Sequence, residues 1–317
     1  MRRIIQWLPT ATLVLAAGLA QAQAPAAAPD ERVPVQRTEQ VAGRLKLTIV
    51  DLAPRFLDFH AAAQGVDADT RWALWQRKYD FAAVPPTPQG QAMARAMLDE
   101  AWPRYAAVLP AIRAGGAAMQ PRPLPILQEL VDLLGLEGPF EMQVRTYVGA
   151  FDANAFTTRT REGVPSVAIP LEMSPAEREL MLRHEMAHAV HLATAGLDGG
   201  WERSIAQTIV QEGIATRAVE ALLPGRPAAA YVEHRPGWYA EALPRTARIL
   251  EGLAPVLDAR DNETVFRYTM GTGSTGTERE AYLAGWIVVG ELMREGRTLA
   301  DIARVPSDGM PALVREA

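Results

Sequence analysis

The sequence predicts a predominantly helical α+β fold, in which a helical region precedes a small sheet and a long helix that carries the chemistry. Apolar residues recur at helical spacing between residues 54 and 119. Two short segments with strand patterns follow at 142–148 and 164–169, and strong helix-start signals begin at Ser174. With 49% hydrophobic and 22% charged residues, the 317-residue chain has the composition of an ordinary globular protein.

Residues 1–24 have the pattern of a secretory signal peptide. Arg2 and Arg3 precede an apolar stretch at residues 4–19, and small residues suited to cleavage follow it. A membrane anchor is the alternative, but the apolar stretch falls short of the about 20 residues that a span needs. We therefore expect a periplasmic or secreted protein with no membrane attachment after signal removal, which begins with a flexible lead-in at residues 25–44.

Residues 45–137 are predicted to form an N-terminal helical region. This region carries a stripe of aromatic side chains at helical spacing, which we expect to pack in the core; a ligand box is the alternative. The stripe consists of Phe56, Phe59, Trp72, Trp75 and Tyr79.

Residues 138–317 are predicted to form the second region, which begins with two strands and holds the functional site. Prolines bound the strand predicted at 164–169, which favours an edge strand on which an extended peptide could pair. Residues 149–161 are predicted to be a loop, and residues 154–156 either border the cleft or simply connect the two strands.

The composition limits the kinds of site and partner. The chain has no cysteine, which excludes disulfides, cysteine nucleophiles and thiolate metal ligands, so a metal must be held by His, Asp or Glu. The formal net charge is −5, and no run of Lys or Arg provides the electrostatic footprint of a nucleic-acid-binding protein.

The helix that begins after Ser174 carries the candidate metal site. Ser174 and Glu177 are spaced as a capping box around the proline at the first helical position. The centre of the helix reads His184-Glu185-Met-Ala-His188, and two histidines four residues apart lie on one face, where both can bind a single zinc. Glu185 lies about 100° round the helix, where its carboxylate can reach a water on the metal. Two packed core histidines are the alternative.

A catalytic zinc needs a third protein ligand. A third histidine six residues after His188 is absent, because that position is Thr194, and His191 lies one turn too far along the same helix; we expect His191 to support the site, to face substrate or simply to pack. Glu212 is the better candidate, since it falls on the apolar stripe of the helix predicted from residue 201 to 223, where a carboxylate is costly unless it is paired or binds a metal. A structural ion pair is the alternative role for Glu212.

These motifs resemble a known clan. His184-Glu-x-x-His188 followed by Glu212-Gly-Ile-Ala is similar to the gluzincin pattern of zinc metallopeptidases, and together with Tyr282-Leu-Ala-Gly285-Trp it most resembles a poorly characterised family described as predicted zinc-dependent proteases. The chain departs from the thermolysin-like pattern, because the Asp expected four residues after the ligand Glu is a threonine here. The resemblance implies a gluzincin-like catalytic region with the small sheet beside the zinc-binding helix.

The resemblance also implies roles for the residues. One Zn²⁺ per chain is bound by His184, His188 and Glu212, Glu185 acts as general base in the hydrolysis of a peptide or protein substrate, and a further donor stabilises the oxyanion. We expect that donor to be Tyr282, on a helix predicted at 278–293, with Tyr268 and His234 as the next candidates.

Two other functions stay open at this point: a non-catalytic zinc-binding protein, and a chaperone-like peptide binder that uses the aromatic helical region. Glycines at 271–276 could suggest a phosphate-binding loop, but no apolar strand precedes them and no lysine follows. We expect a mobile loop that flanks the cleft, with Arg267 and Arg279 solvated on either side. The oligomeric state is left open by the sequence.

Overall fold

Five strands form one mixed sheet in the order β1-β2-β3-β5-β4, in a computed structural model that describes residues 32–85, 87–198 and 203–317. The three inner strands are parallel to one another, and each outer strand is antiparallel to its neighbour. The strands are β1 Gln36–Ala42, β2 Leu45–Asp51, β3 Phe140–Tyr147, β4 Phe156–Arg159 and β5 Pro165–Pro170. The predicted signal peptide at 1–24 lies outside the described residues.

The prediction of a flexible lead-in at 25–44 is wrong for residues 36–42, which form β1 and pair with the whole of β2. The side chains of β1 are exposed or half-buried, so its sequence shows no apolar pattern that predicts a strand. The strand is held by its backbone hydrogen bonds to β2. β2 in turn pairs with β3, so the sheet and the core cross the predicted boundary at residues 137 and 138.

The strand predicted at 164–169 is observed as β5, but the expectation that it is an edge strand is wrong. β5 lies between β3 and β4, and all six of its residues are buried. The edge is β4, a half-buried strand inside the segment that the sequence suggested was a loop. An extended peptide therefore has no open backbone on β5 to pair with.

Helices cover the sheet and form the rest of the molecule. The first region contains α1 Ala53–Ala62, α2 Ala68–Lys78, α3 Pro88–Ala101, α4 Tyr105–Ala114 and α5 Pro123–Leu133. The second contains α6 Pro175–Thr194, α7 Ile205–Leu222, α8 Ala229–Val232, α9 Trp238–Ala242, α10 Thr246–Leu253, α11 Asn262–Thr269, α12 Glu280–Arg294, α13 Leu299–Ala303 and α14 Met310–Glu316. Short 3₁₀ helices lie at Trp102–Arg104, Leu243–Arg245 and Ala254–Val256. No helix within the described ranges has both the length and the apolar character needed to span a membrane.

The aromatic stripe packs in the core, as predicted. Phe56 lies edge-on to Phe59 and Tyr79, with ring centroids 5.7 Å and 5.3 Å apart, and all three side chains are buried. Trp75 is buried as well, and Trp72 stacks on it at 4.8 Å from a partly buried position. Their burial accounts for this pattern by packing alone.

α6 starts as the sequence predicts and is anchored at its first turn. Ser174 and Glu177 form the capping box, and the buried guanidinium of Arg178 donates to the backbone oxygens of Gln120, Leu171 and Met173. Leu171 and Met173 belong to the segment that follows β5. These bonds hold the start of α6 against the end of the sheet, and so set the height of the helix above the strands.

α7 and α12 cross in direct backbone contact. A Cβ atom added at Gly285 would lie 2.5 Å from the backbone oxygen of Ile209 and 2.8 Å from the backbone nitrogen of Gly213. Only a glycine permits this approach. The crossing lies next to Glu212 on α7 and one turn from Tyr282 on α12, so it sets the position of both side chains.

Candidate metal centre

Three side chains from two helices converge at one point. His184 and His188 lie one turn apart on α6, and Glu212 reaches them from the buried face of α7. The Nε2 atoms of the two histidines are 3.1 Å apart, and Oε2 of Glu212 lies 3.4 Å from Nε2 of His184 and 3.5 Å from Nε2 of His188. In the described part of the chain, this is the only group of three or more His, Asp or Glu side chains that could hold a metal ion.

The triangle has the dimensions of a zinc site. Bonds of about 2.0–2.2 Å at the tetrahedral angle place any two ligand atoms about 3.3–3.6 Å apart, close to the separations observed here. Within the described residues, Oε2 of Glu212 is buried and accepts no hydrogen bond, although buried carboxylate oxygens are normally satisfied. A divalent cation would satisfy that oxygen and both imidazoles at once, so the donor set fits zinc.

The charges at the site also suit a cation. Burial acts to raise the pKa of Glu212, but His188 and His184 outweigh it and hold that pKa well below its usual range. Burial acts to lower the pKa of His184, but the carboxylates of Glu212 and Glu185 outweigh it and raise that pKa. Two carboxylates thus concentrate negative charge around the histidines. The side chain of His184 is 19% exposed, which leaves a solvent opening on its side of the triangle.

Glu185 lies beside the triangle and contacts the edge of the sheet. Its side chain is buried, and the hydroxyl of Thr157 on β4 lies 2.7 Å from both Oε2 and the backbone oxygen of Glu185. Sequence reasoning missed Thr157, because residues 149–161 were predicted to be a loop. The signal available was the pair of β-branched threonines at 157 and 158, which favours a strand.

Of the three candidate oxyanion donors, Tyr282 is the one that lies in the electric field of the site carboxylates. Burial, Glu212 and Glu185 raise the pKa of its hydroxyl to about 12, although the charges of Arg279 and Arg203 act to lower it. Tyr268 instead donates to the backbone oxygen of Gly252 at 3.4 Å.

The third candidate, His234, lies against a surface acid. Its Nε2 atom is 3.5 Å from Glu278, and its ring packs edge-on to Trp238 at 4.9 Å. Burial and the charge of Arg279 lower the pKa of His234 to about 4, with Glu278 opposing them. Near neutral pH this imidazole is therefore uncharged.

Within the described residues, no other acid or histidine joins the triangle. Glu220 forms an ion pair with Arg217 at 2.7 Å, and Glu202 lies outside the described residues. His191 is fully buried, and neither ring nitrogen has a partner among the described residues; burial and His188 lower its pKa to about 3. His191 therefore does not face solvent.

Thr216 shows how the site departs from the thermolysin-like pattern. Its hydroxyl lies 2.8 Å from the backbone oxygen of Glu212, one turn earlier on α7, instead of reaching a ligand histidine. Nδ1 of His188 correspondingly has no hydrogen-bond partner in the described part of the chain. The ring of His188 is thus oriented by packing between α6 and α7.

The loop at 271–279 is ordered by a buried acid. The carboxylate of Glu280 accepts hydrogen bonds from the backbone nitrogen and the hydroxyl of both Ser274 and Thr275, at 2.7–3.1 Å. Thr272 pairs with Glu278 as a β-bridge across the loop. The glycines therefore serve a tight turn around a carboxylate.

Arg279, which the sequence suggested was solvated, is half-buried at the end of this loop. Its backbone is left-handed, with φ of 54°, and its guanidinium lies over the ring of Tyr282 at 4.9 Å from the centroid. Arg267 is exposed, as predicted. Arg279 differs from Arg267 in exposure because the hydrogen bonds of Glu280 order the loop that ends at Arg279, next to Tyr282.

Residues 166–310 match the model of a family described as a predicted Zn-dependent protease. The matched region runs from β5 to the start of α14, so it contains all three corners of the triangle together with Glu185 and Tyr282. Comparisons with curated proteins and with solved structures gave no match. This part of the chain is thus similar to a predicted zinc-dependent hydrolase family.

Proposed function

We propose that this protein is a zinc-dependent peptidase that binds one Zn²⁺ per chain through His184, His188 and Glu212. The observation that carries the proposal is the triangle of ligand atoms, 3.1–3.5 Å apart, beside a second acid, Glu185, that is not a ligand. A purely structural zinc has no use for Glu185 in that position. The family similarity of residues 166–310 supports the same reaction class.

Zinc, when bound, supplies Lewis-acid chemistry, because it polarises the scissile carbonyl and lowers the pKa of a water. Glu185 removes the proton from the attacking water and returns it to the leaving amine. The hydroxyl of Thr157 holds the Glu185 carboxylate in place from 2.7 Å. We assign Tyr282 as the donor to the oxyanion, since burial and the two site carboxylates keep its hydroxyl protonated at neutral pH.

We further propose that the protein acts outside the cytoplasm, in the periplasm or as a secreted enzyme, on peptides or proteins. Residues 1–24 support export by their charge and hydrophobicity pattern. The net charge of −5 argues against nucleic acid as a partner.

The experiment is the zinc content of purified residues 25–317, compared with Glu212→Ala and with Glu220→Ala as a matched control. Glu220 lies on the same helix but pairs with Arg217. We expect one equivalent of zinc in the wild type and in Glu220→Ala, and its loss in Glu212→Ala. The zinc-loaded chain is then screened against a peptide library, with Glu185→Gln as the inactive control that keeps its metal.

A wild-type chain that binds no zinc would refute the metal site. The peptidase proposal would be refuted if the zinc-loaded wild type cleaves no peptide, or if the Glu185→Gln variant cleaves peptides as fast as the wild type. A non-catalytic zinc protein would then remain.

A further inference from the structure

Among the described residues, Arg279 is a cation without a counter-ion. No carboxylate in the described part of the chain lies within ion-pair distance of it, and its one side-chain hydrogen bond goes to the sulfur of Met270 at 3.7 Å. Its Nε atom is buried and unpartnered. Arginine side chains are rarely buried unless they are paired with an acceptor. The half-buried guanidinium of Arg279 is therefore suited to bind an anion from outside the chain.

The neighbouring arginines Arg235 and Arg245 have oxygen acceptors, unlike Arg279. Arg235 binds both Glu241 and Glu278, and Arg245 donates to Thr277. Glu278, which directly precedes Arg279 in the chain, is therefore already engaged. Arg235 and Arg245 thus both donate to oxygen atoms, whereas the side chain of Arg279 has no oxygen acceptor among the described residues.

The loop is built to hold Arg279 in this position. A non-glycine residue at φ of 54° is strained, and such strain persists only where the surroundings enforce it. Here the buried Glu280 fixes the loop through four hydrogen bonds to Ser274 and Thr275, and the backbone nitrogen of Arg279 donates to the oxygen of Gly271 at 3.3 Å. Strain of this kind concentrates at ligand-binding positions.

The charge of Arg279 reaches the metal centre. The guanidinium lies 4.9 Å from the ring centroid of Tyr282, which is one turn from the point where Gly285 on α12 meets the backbone of α7 next to Glu212. Arg203 adds a second positive charge felt by Tyr282, and its guanidinium is held by the neutral amide of Gln211 at 2.8 Å. Arg279 therefore places positive charge on the Tyr282 side of the metal centre.

We propose that Arg279 binds a carboxylate of the peptide substrate beside the scissile bond and so selects substrates that carry an acidic group there. A planar guanidinium matches a carboxylate through two parallel hydrogen bonds, and the half-buried setting strengthens them. This inference rests on the proposed peptidase activity. The carboxylate comes either from an acidic side chain or from the C-terminus of the peptide, and the two sources are separable by experiment.

The test uses zinc-loaded residues 25–317 and peptides in matched sets, with Glu or Gln near the cleaved bond and with a free or an amidated C-terminus. The quantity measured is the ratio of kcat/KM for the charged over the uncharged member of each pair. We expect the wild type to prefer the charged peptide by about 10- to 100-fold, as for a charge-assisted hydrogen-bond pair. Arg279→Gln should lose that preference, and Arg279→Lys should keep part of it.

Arg267→Gln is the matched control, because Arg267 also lies over a tyrosine, at 5.4 Å from the ring of Tyr268, but is exposed. Its preference should equal that of the wild type. Loss of the preference on amidation assigns the contact to the C-terminal carboxylate, and loss on Glu to Gln replacement assigns it to a side chain. A wild type without any preference, or an Arg279→Gln variant that keeps it within about twofold, overturns the proposal.

Binding separates this inference from the proposed function. Calorimetric Kd values for the same peptides on zinc-loaded Glu185→Gln, with and without Arg279→Gln, report the carboxylate contact without turnover. If no peptide is cleaved, the peptidase proposal fails, while a preference in Kd that depends on Arg279 still supports the carboxylate site. Equal Kd values for charged and uncharged peptides refute the carboxylate site even if cleavage occurs.

Discussion

Replacing Gly285 by Ala adds one methyl group at the crossing of α7 and α12. The new Cβ lies 2.5 Å from the backbone oxygen of Ile209, whereas an ordinary contact needs about 3.4 Å, so the helices must separate by about 0.9 Å. Backbone atoms form both sides of the contact, so no side chain can rotate away. We expect a loss of about 1–3 kcal/mol in the free energy of unfolding, typical of an overpacked core.

The displacement also reaches the metal centre. Gly213 faces the new methyl group and directly follows Glu212, so a shift of α7 moves the carboxylate relative to His184 and His188. A zinc bond tolerates little of such a shift, because its length is held to within about 0.2 Å. We therefore expect zinc affinity to fall by about tenfold or more, although α12 contributes no zinc ligand.

Two measurements check this prediction: urea unfolding of the metal-free chain, and competition with a chelator for zinc. Gly290→Ala is the control on the same helix, because its Cβ meets the side chain of Arg217 and no backbone atom of α7. The reasoning is wrong if Gly285→Ala matches the wild type in both measurements, or if Gly290→Ala weakens zinc binding equally.

Three further predictions concern single side chains around the site and the sheet. Thr157→Val removes the hydroxyl that donates to Glu185, so kcat should fall about 10- to 100-fold at unchanged zinc content. The side chain of Thr158 points to the other face of the sheet, so Thr158→Val should leave kcat within about threefold. Steady-state kinetics on any cleaved peptide checks both. Burial raises the pKa of Glu172 from 4.5 to about 6, so the folded state binds its proton more tightly than the unfolded chain, and stability should fall by about 2 kcal/mol as pH rises from about 4.5 to about 6. Urea titrations across that range should show this loss in the wild type and not in Glu172→Gln, and an identical pH dependence in both would contradict it. Arg178→Met leaves the buried backbone oxygens of Leu171 and Met173 without their donor and removes the bond to Gln120. This should cost about 2–4 kcal/mol in chemical unfolding, and a loss below about 1 kcal/mol would contradict the prediction.

The elements that were predictable depend on neighbours in the sequence. The capping box of Ser174 and Glu177 and the spacing of His184 and His188 involve residues three or four positions apart, and helical geometry relates such residues wherever the helix lies. Glu212 was predictable because helical spacing places it on the apolar stripe of its helix, where a buried carboxylate is costly unless it is paired or binds a metal. The signal peptide and the substrate stay predictions from composition and resemblance.

Tertiary structure decided the elements whose partners are distant in the chain. β1 and β4 carry no apolar pattern of their own, and they exist because β2 and β5 offer backbone hydrogen bonds; the same pairing makes β5 an inner strand and brings Thr157 to Glu185. Arg279 faces Tyr282 only because Glu280 orders the loop before it. By itself, therefore, the sequence determined which residues could bind a metal, because helical spacing relates them. The pairing of strands and the crossing of α7 and α12 decided which residues surround that metal. Those contacts join segments that no local pattern in the sequence relates.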